Sequence, residues 1–188
     1  MIFTETSLKG LFEVNLQKRE DNRGFFARFF CYNEYLIKGI DMKFIQINIS
    51  NNITKHTLRG MHYQLPPRGE NRIVACIIGS AFDVSLDLRP NSPTFGSCYT
   101  TTLSAENRKM IFVPNGFAHG YLTLEDNTEF LYLNTESYAK EYDRVIRWDD
   151  KKFNIPWPFE PKVISARDSS QSDFDSTYHL TGLEFIKA

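Results

Sequence analysis

The chain is poor in cysteine, tryptophan, histidine and net charge, and each scarcity narrows what it can be. Cys31, Cys76 and Cys98 are odd in number and lack the spacing of a metal-binding set, so neither a disulfide framework nor a thiolate metal centre is expected. Three unpaired thiols suit a reducing compartment, and a cytoplasmic location is expected. Twenty-two Lys and Arg against 23 Asp and Glu leave a formal charge of −1, with no basic stripe, which argues against a nucleic-acid or anionic-membrane partner. No apolar run approaches the length of a bilayer span, and Met1-Ile2-Phe3-Thr4-Glu5-Thr6 is not a basic region followed by an apolar one. Helix signals are scarce as well. One short helix is expected, from Asn33 as its cap through Lys38, with Gly39 ending it.

What the sequence does have is aromatic residues and short alternating runs. Sixteen Phe, nine Tyr and two Trp in 188 residues suit one large sheet core, so residues 1–188 are read as a single domain. Strands are expected at Leu11 to Leu16, Phe25 to Cys31, Lys43 to Ser50, Leu58 to Gln64, Cys98 to Leu103, Lys109 to Val113 and Thr128 to Thr135. Asn71 to Ile78 and Ala81 to Leu88 read as a hairpin about Gly79-Ser80, with Arg72 on the face of Asp83, Ser85 and Asp87. From Tyr138 the pattern becomes irregular. Ser169 to Asp175 reads as mobile, and Tyr178 to Ile186 as a last strand or a helical turn. About ten short strands with close turn signals indicate a mainly β protein, an antiparallel barrel or a double-sheet jelly roll.

The stretch Leu58-Arg59-Gly60-Met61-His62-Tyr63-Gln64 carries the chemistry. An imidazole exchanges a proton near neutral pH, and Arg59 supplies a fixed cation for an anionic ligand. Strict alternation puts Arg59 and His62 on opposite faces, so a bulge or twist is expected at Gly60. Gln46, Asn48 and Ser50 share one polar strand face, expected to lie inside the protein, and Phe117, His119 and Tyr121 share another. His62, Arg72, His119 and Tyr132 would then meet in the mouth of the barrel. Gly60 to Gly79 and Pro114-x-Gly116-x-x-His119 are similar to the two halves of the cupin pattern. With Gln64 at a ligand position and Glu70 in a Pro/Gly loop, only His62 and His119 remain, too few to hold a divalent metal, so no metal is expected.

Seven motifs taken together resemble one family. They are Asp21-x-Arg23-Gly24-x-Phe26, Gln46-x-Asn48, Leu58 to Gln64, Ser92-Pro93-Thr94-Phe95-Gly96, Pro114-x-Gly116-Phe117-Ala118-His119-Gly120, Trp148-Asp149-Asp150 and Ser165-x-x-Asp168. In order and spacing they are similar to those of the dTDP-4-dehydrorhamnose 3,5-epimerases. The resemblance implies a cupin jelly roll without metal or cofactor, forming a homodimer to which residues 1–50 contribute. It implies isomerase activity in deoxysugar biosynthesis, on a nucleotide diphosphate-linked 4-keto-6-deoxyhexose. By the same resemblance His62 is the base, Asp168 its partner and Tyr132 the acid. Arg23, Arg59 and Arg167 would contact the diphosphate, Gln46, Asn48 and His119 the sugar or nucleotide, Arg72 the ketone oxygen and Tyr138 the base, with Phe26 a further substrate contact.

Five positions depart from the family pattern: Arg72 and Leu133 stand in place of common lysines, Arg28 and Asp143 in place of glutamates, and Cys98 in place of tryptophan. They leave open a single-centre 3- or 5-epimerase on another nucleotide sugar. A 3,4-ketoisomerase would carry His-x-His where this chain has His62-Tyr63-Gln64. A sugar-binding cupin without catalysis would have lost His62, Tyr132 or Asp168.

Overall fold

The computed structural model describes residues 1–186. Two antiparallel sheets pack face to face as a jelly roll, as expected. The elements in chain order are β1 (Ile2–Glu5), β2 (Phe12–Asn15), β3 (Arg19–Asp21), β4 (Gly24–Phe26), α1 (Tyr32–Ile37), β5 (Gln46–Asn52), β6 (Thr57–Gln64), β7 (Arg72–Ile78), β8 (Ser80–Asp87), β9 (Cys98–Ser104), β10 (Met110–Val113), β11 (Phe117–Thr123), β12 (Thr128–Asn134), β13 (Asp143–Val145), β14 (Val163–Ile164), α2 (Ala166–Ser169) and α3 (Ser176–His179). One sheet runs β1-β2-β10-β7-β12-β5 and the other β13-β6-β11-β8-β9, with β14 added alongside β6. A 3-10 turn, Leu183–Phe185, follows α3, so the helical-turn reading of the C-terminal stretch holds.

Three layers of apolar side chains follow from strand alternation. Between the sheets lie Val74, Cys76, Ile111, Val113, Phe117, Tyr121 and Phe130. The outer face of the first sheet is covered by the N-terminal segment and α1, through Phe3, Phe30 and Tyr35 against Ile73, Ala75 and Phe112. The C-terminal segment covers the outer face of the second sheet, packing Phe153, Trp157, Phe174 and Leu183 on Tyr63, Val84 and Leu86. Within the stretch from Ser169 to Asp175, Phe174 is anchored. Phe174 stacks on His179 and lies edge-on to Phe153, and its N–H donates to Asp150 Oδ2 at 2.6 Å.

The expected hairpin between β7 and β8 is not formed. β7 lies between β10 and β12, and β8 between β11 and β9, so the two consecutive strands belong to opposite sheets. Gly79, at φ +73°, turns the corner between them, and a Cβ there would meet Thr128 Oγ1 at 2.6 Å. Hairpin and corner use the same Gly-Ser chemistry, and only the partners on either side distinguish them. Arg72 and the Asp83, Ser85, Asp87 row consequently belong to facing sheets rather than to one hairpin face. Two further expectations are corrected. Phe25 to Cys31 is not a full strand, because β4 stops at Phe26 and pairs only with β3. The helix starts after Cys31, with no side-chain cap, so Asn33 lies inside it, while Gly39 at φ +77° does follow its end.

The irregularity expected in β6 is present. His119 pairs with His62 but Tyr121 pairs with Arg59, so the register slips by one residue between them. Directly paired residues share a face, and the slip therefore turns both Arg59 and His62 inward. Gly60, at φ +136°, and Gly120 make it possible: a Cβ on Gly60 would sit 2.5 Å from Gly120 Cα, and one on Gly120 2.8 Å from Arg59 O. Backbone cannot move aside as a side chain can. Gly60→Ala is expected to destabilise the fold by about 3 kcal/mol or more, and Gly120→Ala by about 2 kcal/mol, read from urea unfolding midpoints.

Candidate active site

Both sheets turn polar residues into the space between them. From the first sheet come Arg72, Tyr132, Asn134, Asn48 and Gln46, fixed on one face by the pairings Tyr132↔Val74, Tyr132↔Asn48, Asn134↔Arg72 and Asn134↔Gln46. From the second come His62, Arg59, His119, Tyr121 and Asp83, by His119↔His62, Tyr121↔Arg59 and Tyr121↔Asp83. Of the residues expected to meet, His62, Arg72, His119 and Tyr132 are thus gathered on facing inner surfaces.

His62 is held from outside its own sheet. Its Nε2 lies 2.7 Å from Asp168 Oδ1, and the aspartate is buried while the imidazole is about one-third exposed. Asp168 sits on α2, whose cap Ser165 accepts from the Asp168 N–H at 3.0 Å. Burial pushes the Asp168 carboxyl up, but the His62 hydrogen bond and charge, with the Gly60 N–H, more than offset this and hold it below its ordinary range. An ionised carboxylate can only accept, so in the neutral imidazole Nε2 bears the proton and Nδ1 carries the lone pair.

Tyr132 is half-buried, and burial first, then the neighbouring Tyr121, holds its phenol well above the ordinary tyrosine value. It therefore keeps its proton at neutral pH and can donate it. Ser50 Oγ stands 3.3 Å from its hydroxyl and 3.0 Å from that of Tyr121. His119 Nε2 faces Asp83 Oδ2 at 2.8 Å, and both are buried. The Arg72 guanidinium is paired with Glu70, whose other oxygen accepts from Asn134 Nδ2 at 2.6 Å. Arg59 Nε donates to Asn52 Oδ1 at 2.7 Å. An imidazole, a protonated phenol and two guanidinium groups thus stand on the facing inner surfaces of the two sheets, residue types able to move a proton on and off a carbon beside a carbonyl.

The remaining expected contacts are placed otherwise. Arg167 pairs with Asp143, and Tyr138, largely exposed, stands beside the same carboxylate at the rim. Gln64 fastens this rim, its Oε1 accepting from Ala139 N at 2.6 Å and its Nε2 donating to Ser137 O at 3.2 Å. Gln46 and Asn48 are exposed on the edge strand β5, so the polar face expected inside is open there, with only Ser50 half-buried. Arg23 and Phe26 do not join the others within this chain. The Arg23 guanidinium is held by Asp21 at 2.6 Å, and Phe26 is 73 % exposed on the separate β3–β4 hairpin. Arg28 is held by Glu34 at 2.7 Å. Among the described residues, no group of three or more His, Cys, Asp or Glu is placed to hold a metal ion. The sequence reading did not assign roles to Ser50, Asn52, Tyr121, Asp83 or Glu70. Period-two extension of Gln46 and Asn48 reaches Ser50 and Asn52, but Glu70 in its loop gave no signal.

Residues 5–176 match the family model for dTDP-4-dehydrorhamnose 3,5-epimerase. The enzyme of that name from Shigella flexneri is 41% identical over 164 residues, covering 85% of this chain and 89% of the relative. The Bacillus anthracis epimerase, solved with TDP and PPi bound, superposes with a TM-score of 0.89 at 32% identity, covering 92% of this chain and 99% of that one. The Legionella pneumophila enzyme, in complex with dTDP-4-keto-L-rhamnose, gives 0.83 at 34%, covering 89% of each chain. Fold and site define a carbohydrate isomerase of the epimerase class. The chain belongs to the dTDP-4-dehydrorhamnose 3,5-epimerase family.

Because the Asp168 carboxyl is depressed in the folded state, its stabilisation is complete above its unfolded value and lost as pH falls through the lower folded one. Stability of the wild type should therefore drop below about pH 4, and Asp168→Asn should flatten that drop, measured by denaturant unfolding from pH 3 to 7.

Proposed function

We propose that the protein inverts C3 and C5 of dTDP-4-dehydro-6-deoxy-D-glucose, giving dTDP-4-dehydro-L-rhamnose, with His62 as base and Tyr132 as acid. The observation that carries this is the His62–Asp168 pair, which leaves Nδ1 with a lone pair on the same inner surface toward which Tyr132 turns its protonated phenol. Hydrogens on C3 and C5 flank the C4 ketone. Removing either gives an enolate, whose charge the Arg72 guanidinium can stabilise without donating its own proton. Reprotonation by Tyr132 from the other face inverts the centre, and the imidazolium formed on His62 is stabilised by Asp168.

Arg59, His119 and Arg167 contact the nucleotide diphosphate and sugar in this reading, with Gln46 and Asn48 at the open edge and Tyr138 stacking on the base. A homodimer in a reducing cytoplasm completes it. Support for the dimer comes from β5, an edge strand whose outer face exposes Ile45, Ile47 and Ile49 beside Ile53, which a second copy would cover. Arg23 and Phe26, on a hairpin that pairs with neither main sheet, would then have a site to reach in the assembly.

In deuterated water, His62→Ala is expected to lower exchange at C3 and C5 by about a thousandfold without unfolding the protein; unchanged exchange would remove the base. Tyr132→Phe should keep exchange and lower inversion by about a hundredfold, read by proton NMR of the sugar. Replacing Ile47 and Ile49 together by Asp should give a monomer by analytical ultracentrifugation.

A further inference from the structure

The hydroxyl of Tyr132 ends a chain of hydrogen bonds that no part of the reaction above requires. Arg59 Nε donates to Asn52 Oδ1 at 2.7 Å, and a guanidinium has no acceptor, so this contact fixes which end of the amide is oxygen. Both amide hydrogens are then accounted for, one to Thr128 O at 3.0 Å and one to the Tyr121 hydroxyl oxygen at 3.2 Å. Tyr121 has its own proton left to give. Its better acceptor is Ser50 Oγ at 3.0 Å, since Asn52 Oδ1 is at 3.4 Å and already takes Arg59. Ser50, receiving from Tyr121, turns its proton to the Tyr132 oxygen at 3.3 Å. With the shortest acceptor taken at each step, the direction runs from the cation to the phenol.

The setting makes this chain rigid. Asn52 and Tyr121 are each 2 % exposed, and Tyr121 is stacked on Phe130 at 4.1 Å between ring centres, with Phe130 next to Tyr132 at 6.1 Å. The three rings hold the two tyrosine hydroxyls on either side of Ser50. In a buried site, a donor aimed at an oxygen that becomes anionic is worth more than in water.

We infer that Ser50, Tyr121 and Asn52 are positioning residues for the acid, a one-way donor relay headed by Arg59 that turns the Tyr132 proton away from Ser50 and into the space between the sheets and then stabilises the phenolate. This rests on the assignment of Tyr132 as acid. In the step itself the Tyr132 O–H bond breaks as the C–H bond forms on the enolate carbon, and the electron pair of O–H stays on the phenolate oxygen. Ser50 strengthens its hydrogen bond to that oxygen but keeps its proton. The Arg59 guanidinium sets the polarity of the relay through one nitrogen, with a second donating to Asn51 O at 3.3 Å.

The relay should therefore affect proton donation and not proton removal. The test compares wild type, Ser50→Ala, Tyr121→Phe and the double variant on dTDP-4-dehydro-6-deoxy-D-glucose in deuterated water, scoring wash-in of deuterium separately from inversion. Tyr121→Phe keeps the ring stacked on Phe130, so the core is preserved. Each single variant should lose about tenfold in kcat for inversion, with wash-in retained and KM within about twofold. The double variant should be no worse than the poorer single one, because both break the same series. Inversion at the wild-type rate in Ser50→Ala, a parallel fall of wash-in and inversion, or losses that multiply in the double variant would each overturn the relay. If Tyr132→Phe in the same assay leaves inversion untouched, the acid assignment itself fails, and the relay with it; if that variant blocks inversion but the relay variants do not, only the relay falls.

Discussion

One hydrogen bond, from His62 to Asp168, joins residues 106 apart in sequence and ties the site to the C-terminal segment. β6 alone would present an imidazole free to turn. Docking α2 beneath it fixes the ring, and the aspartate reaches that position only because the segment from Tyr138 onward is packed over the second sheet through Phe153, Trp157, Phe174 and Leu183. A buried carboxylate is costly unless its acceptors are used, and here the imidazole and the Gly60 N–H use them. The same Gly60 permits the close approach of β6 to β11 that turns His62 inward. Fold and chemistry therefore converge on a few atoms around residue 60.

The space between the sheets is divided by this requirement. Its apolar part holds Val74, Ile111, Phe117 and Phe130, while His119 and Arg72 on the same inner surfaces are charge-paired. His119 has Asp83, Arg72 has Glu70, and Glu70 also takes Asn134. Satisfied networks of this kind are stiff, because each member left unpaired in a low dielectric costs more than its bond contributes. Arg72 stands where the resemblance leads one to expect lysine, and its guanidinium is fixed by an ion pair with the Glu70 carboxylate. A fixed cation that does not exchange its proton leaves His62 and Tyr132 as the proton-transfer groups of the proposed mechanism.

Much of this was legible in the sequence. Alternation located most strands to within a few residues, the conflict between Arg59 and His62 demanded the irregularity found at Gly60, and the motif order gave the family. What was not legible depended on how segments meet in space, whether their partners are distant in sequence or a loop bend away. Gly79-Ser80 reads equally as a hairpin or a corner, and the corner arises because both β7 and β8 already have two neighbours each. Arg23 and Phe26 look like site residues by motif, yet lie on a hairpin outside both sheets, which no period in the sequence expresses. Glu70 was read only as a loop acid, since a contact to Arg72 two residues on requires a bend that Pro66-Pro67-Arg68-Gly69 suggests but does not define. Ser50 and Tyr121 were placed on the right faces, but hydroxyl contacts between facing sheets cannot be read from either strand alone.

The central claim is that one imidazole and one phenol act on opposite faces of a ketosugar. A crystal structure with a bound dTDP-linked 4-keto-6-deoxy sugar tests it most directly. The account predicts His62 Nδ1 on one side of the ring and the Tyr132 hydroxyl on the other, each about 3 to 3.5 Å from C3 or C5, with Asp168 still on Nε2. Both groups on the same face, or a sugar bound with Nδ1 turned away from either carbon, would contradict it.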